Sequence, residues 1–102
     1  MSEYALSVIL NTVTSDTKAT IAWADFRSGL IALLDQKGYQ KRSKSVITPS
    51  SISDTLHTDN NVLNMEYCNE GVYTITLTYT DAQLETLLGS HCKKYGVIQD
   101  DR

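Results

Sequence analysis

A chain of 102 residues has room for one domain. Apolar residues make up 41% and charged residues 21%, with one proline and five glycines, and this composition excludes disorder and low complexity. The net charge of −3 is uneven: residues 1–44 carry six bases and four acids, residues 45–102 three bases and eight acids. An acidic total argues against avid nonspecific nucleic-acid binding, yet leaves room for a local basic patch.

Tyr4 to Val13 alternates, with Tyr4, Leu6, Val8 and Leu10 on one side and Ala5, Ser7, Ile9 and Asn11 on the other. Both sides are partly apolar, so the run predicts a central strand. Thr14-Ser15-Asp16-Thr17 supplies helix-capping side chains. A helix is predicted from about Thr17 to Gln36, with Trp23, Phe26, Leu30, Leu33 and Leu34 as its apolar stripe and Lys37-Gly38 as its stop. Tyr39 to Thr48 predicts a second strand that ends at Pro49.

Residues 49–61 are rich in Ser, Thr, Asp and Asn and read as a polar loop insertion. Val62 to Tyr67 and Tyr73 to Tyr79 are strands joined by a hairpin turn at Asn69-Glu70-Gly71. In the second of these, Tyr73, Ile75, Leu77 and Tyr79 share one side and Thr74, Thr76 and Thr78 the other. Thr80, with Gln83 three residues on, reads as the capping box of a second helix, whose stripe is Leu84, Leu87, Leu88 and His91. Gly96 stops it, and Val97-Ile98 makes a short last strand.

The order predicts an α+β fold of the ferredoxin-like, split βαβ kind. Two helices cover one face of an antiparallel sheet, and an extra strand or insertion precedes the third core strand. The threonine-bearing face is then free for a second layer, a homodimer mate through the sheet, or a protein partner.

No apolar run approaches the ~18 residues of a membrane span. The start Met1-Ser2-Glu3-Tyr4 lacks the basic region of a secretory leader, so a cytoplasmic protein with no membrane partner is expected. Cys68 and Cys92 are too few for a disulfide framework; reduced thiols are expected, and whether the two meet stays open.

The metal-ligating residue types are His57, Cys68, His91 and Cys92, but their only close pair, His91-Cys92, diverges by about 100° on a helix. No metal site and no cofactor are expected. A Cys–His nucleophile could combine Cys68 with His57 or His91, although no local motif supports it. There is no Walker loop, no G-x-G-x-x-G and no G-x-S-x-G. A Cas2-kind nuclease would need a metal-binding carboxylate at the end of the first strand; Asn11 stands in that stretch, and Asp16 reads as a helix cap. The basic cluster Lys37, Lys41, Arg42 and Lys44, with Arg27 on the preceding helix, forms a candidate phosphate-binding edge.

Three stretches carry a resemblance: Tyr4-Ala5-Leu6-Ser7-Val8, Phe26-Arg27-Ser28-Gly29-Leu30, and Tyr73-Thr74-Ile75-Thr76-Leu77 running into Leu84-Glu85-Thr86-Leu87-Leu88. In element order the chain resembles the GhoS-type, Cas2-like antitoxin endoribonuclease family. The resemblance implies a ferredoxin-like regulator acting on RNA and makes Arg27 the candidate for RNA cleavage or binding. The insertion at 49–61 and the short last strand depart from the family's pattern. The second expectation is a noncatalytic protein-binding inhibitor of a larger complex, such as a phage or mobile-element anti-defence protein. It rests on the missing active-site motifs and the acidic C-terminal half.

Overall fold

The computed structural model describes residues 3–10, 15–41 and 45–99. Within them the elements run β1 (Tyr4–Ile9), α1 (Asp16–Asp35), β2 (Gln40–Lys41), β3 (Val46–Ile47), β4 (Ser51–His57), β5 (Val62–Cys68), β6 (Thr74–Tyr79), a 3₁₀ turn (Ala82–Leu84), α2 (Glu85–Lys93) and β7 (Val97–Gln99). The described strands form one antiparallel sheet in the order β2-β4-β5-β6-β1-β7, with β3 also paired to β4. The fold is mixed α+β.

Strand alternation sets the two faces of the sheet. Register aligns Val8 with Ile75, Leu6 with Leu77, Met65 with Leu77 and Tyr67 with Ile75, so these side chains form one apolar surface. Helix α1 covers it with Ala19, Trp23, Phe26, Leu30 and Leu34, all buried, and α2 adds Leu88, His91 and Cys92. Aromatic contacts tie the layers: Trp23 stacks on Tyr67 at 5.7 Å, and Phe26 meets the His91 and Tyr95 rings at 4.7 and 5.2 Å. Two tyrosines then fasten α1 at separate points. The Tyr73 hydroxyl donates to Asp16 at 2.6 Å, and that of Tyr95 donates to Asp25 at 2.7 Å.

Several local expectations change. The predicted polar loop insertion at 49–61 is largely strand β4. Its core-facing positions are Ile52, Asp54 and Leu56, opposite Tyr67, Met65 and Leu63. The aspartate interrupts the apolar alternation, and this is why the stretch reads as a loop. Where a single strand is expected over Tyr39–Thr48, the described residues form two two-residue strands, both on the outer edge of β4, with Gln40 opposite His57 and Ile47 opposite Ile52.

Capping also shifts. Ser15, not Asp16, caps α1, accepting from the Lys18 backbone N–H at 3.3 Å. The second helical segment is capped by Asp81, which accepts from the Gln83 N–H at 2.9 Å, because the Thr80 hydroxyl is committed to the Val62 N–H at 3.0 Å. The hairpin turn is as expected: Gly71 lies at φ +84°, the left-handed conformation that glycine adopts without a Cβ penalty.

Two glycines give opposite expectations. A Cβ on Gly96 would lie 1.9 Å from the Ile9 carbonyl oxygen, which is backbone and cannot step aside. Gly96→Ala is therefore expected to cost about 2–3 kcal/mol in urea unfolding. A Cβ on Gly89 meets nothing within 4 Å and sits inside α2, so Gly89→Ala is expected to stabilise by about 0.5–1 kcal/mol.

Candidate functional site

The polar feature buried most deeply is the one that breaks the β4 alternation. Asp54 points from the helix-covered face of the sheet toward α1, and its side chain has 0% exposure. Arg27 follows the core residue Phe26 on α1 and donates from Nε to Asp54 Oδ2 at 2.5 Å. Ser45 Oγ donates to Oδ1, also at 2.5 Å. The Lys41 ammonium stands 3.4 Å from Oδ1 and 3.4 Å from Ser45 Oγ. These residues meet because β2 takes the outer edge of β4 at Leu56–His57 and β3 takes it at Ile52–Ser53, leaving Asp54 between the two.

A carboxylate removed from water costs several kcal/mol unless compensated. Burial pushes the Asp54 carboxyl up, but the hydrogen bonds from Ser45 and Arg27, with the charges of Arg27 and Lys41, outweigh it. The net effect holds the carboxyl below its ordinary value. Two cations share one carboxylate, so the group carries one positive charge in excess. The Arg27 and Lys41 side chains are 30% and 36% exposed. Among the described residues the terminal guanidinium nitrogens of Arg27 have no hydrogen-bond acceptor.

Of the five cations chosen from the sequence, Arg27 and Lys41 are thus brought together on Asp54, and Lys37 is not among its partners. Arg42 and Lys44 lie outside the described residues, as does Asn11. Asp54 and Ser45 were missed by sequence reasoning. The available signal was Ile52-x-Asp54-x-Leu56, an apolar alternation with a carboxylate at its centre.

This chemistry holds charge; it does not activate a nucleophile. The proton of Ser45 points at a carboxylate, and Lys41 is paired with that same carboxylate instead of standing as a free base. The other candidate groups do not assemble. His57 and Cys68 end opposite extremes of the β4–β5 hairpin, Cys68 paired with Ser51 and His57 with Val62. Six residues of strand put them about 20 Å apart. His91 and Cys92 are buried on α2, across the sheet from Cys68, and both cysteines are free thiols. Burial pushes the Cys92 thiol up to about 12. His91 instead bonds through Nε2 to the Phe26 carbonyl at 3.0 Å, and its ring lies tilted at 54° against both the Phe26 and Tyr95 rings. Asp16 serves Tyr73. Among the described residues no group of three or more His, Cys, Asp or Glu is arranged to hold a metal ion. An open depression of about 330 Å³ lies at the end of α1, lined by residues that include Lys37, Gln40, His57 and Asp59.

The uncovered face of the sheet is different in kind. Ser53, Thr55 and Asn64 are hydrogen-bonded across it, as are Ser7 and Thr76 at 3.1 Å. By strand alternation the described residues of this face include Glu66 and no lysine or arginine. No helix of the described residues is long and apolar enough to cross a membrane. With these geometries in hand the chain was compared with known proteins: no protein-family model matches it, and no curated protein matches it.

The Arg27–Asp54 pair is energetically asymmetric. Arg27→Met would strand a fully buried carboxylate and is expected to cost about 3 kcal/mol. Asp54→Asn keeps the shape and leaves an arginine that can reach water, so about 1–2 kcal/mol is expected. Because the native carboxyl lies below its unfolded value, its contribution is complete at neutral pH and disappears as pH falls through the ordinary carboxylate range toward the lower native value. The stability gap between wild type and Asp54→Asn, measured by urea unfolding, should therefore shrink between pH 7 and pH 3.

Proposed function

We propose that the protein is a small RNA-handling regulator of the antitoxin-like, Cas2-like kind. In this reading it is a cytoplasmic protein with a ferredoxin-like core, meeting the RNA backbone at the edge marked by Arg27 and Lys41. Arg42 and Lys44 are the neighbouring cations in sequence. The single observation that carries the reading is that Arg27 and Lys41, fourteen positions apart, converge as a partly exposed pair with a surplus positive charge. The sheet order supports the ferredoxin-like part. β6 runs antiparallel to both β1 and β5, so β5 is parallel to β1, and β7 flanks β1 on its other side. That is the arrangement a split βαβ unit requires. The proposal is for binding, and no cleavage step is assigned to any residue.

The test is fluorescence anisotropy with a mixed-sequence single-stranded RNA across a salt series. Neutralising two phosphates predicts a slope of log K against log salt of about −1.4, reduced by about 0.7 on Arg27→Ala or Lys41→Ala. Salt-independent binding, or binding untouched by both substitutions, would count against the reading.

A second reading, a noncatalytic inhibitor that docks on another protein, is supported by the uncovered sheet face, whose described residues carry no lysine or arginine. Such a face lacks phosphate-neutralising groups but suits a protein surface or a homodimer mate. Thr76→Arg, in the middle of that face, separates the two readings. It should abolish capture of a protein partner and leave RNA affinity within about twofold, since it is a surface change remote from the Arg27 edge.

A further inference from the structure

We propose that Asp54 is a positioning residue for an anion seat, holding Arg27 by Nε so that its terminal guanidinium edge, with the Lys41 ammonium, receives the two non-bridging oxygens of a phosphodiester. The inference rests on the RNA reading above and adds the residue that would make the seat rigid.

An arginine on an exposed helix face samples many rotamers, and ordering it on a ligand opposes binding. Here that ordering is already complete. The anchor cannot swing, because Asp54 Oδ1 is occupied by Ser45 at 2.5 Å and its backbone lies in β4, opposite Met65 of β5. Water does not compete for it, since the carboxylate has no exposure. With Oδ1 taken, Arg27 engages Oδ2 through Nε. An arginine that gives both prongs of its fork to a carboxylate has little left for a ligand. This one keeps its terminal nitrogens, which find no acceptor among the described residues. The planar, paired donors of a guanidinium edge match the oxygens of a phosphate group, and a point-charge ammonium beside them adds attraction without demanding geometry. Lys41 supplies that charge while leaning on the same anchor.

The proposal makes a prediction of opposite sign to simple electrostatics. Asp54→Ala removes a negative charge and raises the local charge by one. If charge alone governed binding, RNA affinity would rise and the salt slope would steepen. If Asp54 positions Arg27, affinity should fall at least about fivefold despite the added charge. Arg27→Lys keeps Asp54 and the charge but has one ammonium for two tasks, so it should weaken binding to a similar extent. It decides the matter should Asp54→Ala fail to fold, as judged by dispersion of the amide NMR spectrum.

The Arg27 Nε–H resonance gives a readout independent of RNA. It should be a slowly exchanging signal in wild type, lost in Asp54→Ala and shifted by inorganic phosphate in wild type alone. Wild-type RNA binding that depends on Arg27 but is unchanged or tighter in Asp54→Ala, and unchanged in Arg27→Lys, overturns the positioning role and leaves the RNA reading standing. Absence of RNA binding removes the RNA reading. The seat itself then stands if phosphate shifts the Arg27 resonance in wild type and falls if it does not.

Discussion

A carboxylate without solvent contact, set into the apolar face of a sheet, constrains every element around it. Asp54 occupies a core position of β4, between Ile52 and Leu56, where the neighbouring strand offers Met65. A methionine compensates no charge, so the compensation comes from elsewhere: Arg27 from above, on α1, Lys41 from the edge strand β2, and Ser45 from the residue just before β3. The position of α1 over the sheet, and the path of β2 and β3 along β4, bring these partners to one group that would otherwise cost several kcal/mol.

The rest of the fold divides cleanly between the two sides of the sheet. On the helix side, burial is nearly complete, and three polar contacts are made to α1: Tyr73 with Asp16, Tyr95 with Asp25, and the Asp54 group with Arg27; His91 Nδ1 is buried there with no hydrogen-bond partner among the described residues. Helix α1 is thereby fastened near its start, along its middle and over the edge hairpin, and its apolar stripe meets the sheet in one orientation. On the uncovered side, hydroxyls and an amide bond to one another across strands, as Ser53 and Thr55 do with Asn64. The described residues of that face include Glu66 and no lysine or arginine, and it is suited to contact without attraction for polyanions.

This division bears on the proposed function. A net charge of −3 repels nucleic acid at long range, so any productive contact has to be confined to a place where positive charge is concentrated and ordered. The Arg27–Lys41 edge has that property because a buried anion organises the two cations without cancelling both. The same arrangement explains why the grouping of Ser45, Lys41 and Asp54 is not a nucleophile with its base. Its hydrogen bonds run toward the carboxylate, and the serine proton already has its acceptor.

Much of the architecture was legible because it follows from period. The 2.0 alternation of Tyr73 to Tyr79 put its aromatics beneath the helices and its threonines outside, and the 3.6 spacing of Trp23, Phe26, Leu30 and Leu34 marked the buried stripe of α1. The two helices, the hairpin at Gly71 and the closing strand after Gly96 are all written in local pattern and turn chemistry. Strand β4 was not, because its core-facing series contains an aspartate. Alternation scores that residue as loop, whereas the tertiary structure scores it as satisfied. The role of Arg27 divides the same way. Sequence marks it as a cation on a helix near a basic run, but pairing between residues 27, 41, 45 and 54 is a long-range fact. Local pattern marked the apolar stripes and most of the elements, though not β4. Only the folded chain, by bringing a distant guanidinium to a carboxylate it could not otherwise bury, decided which charges remain available at the surface.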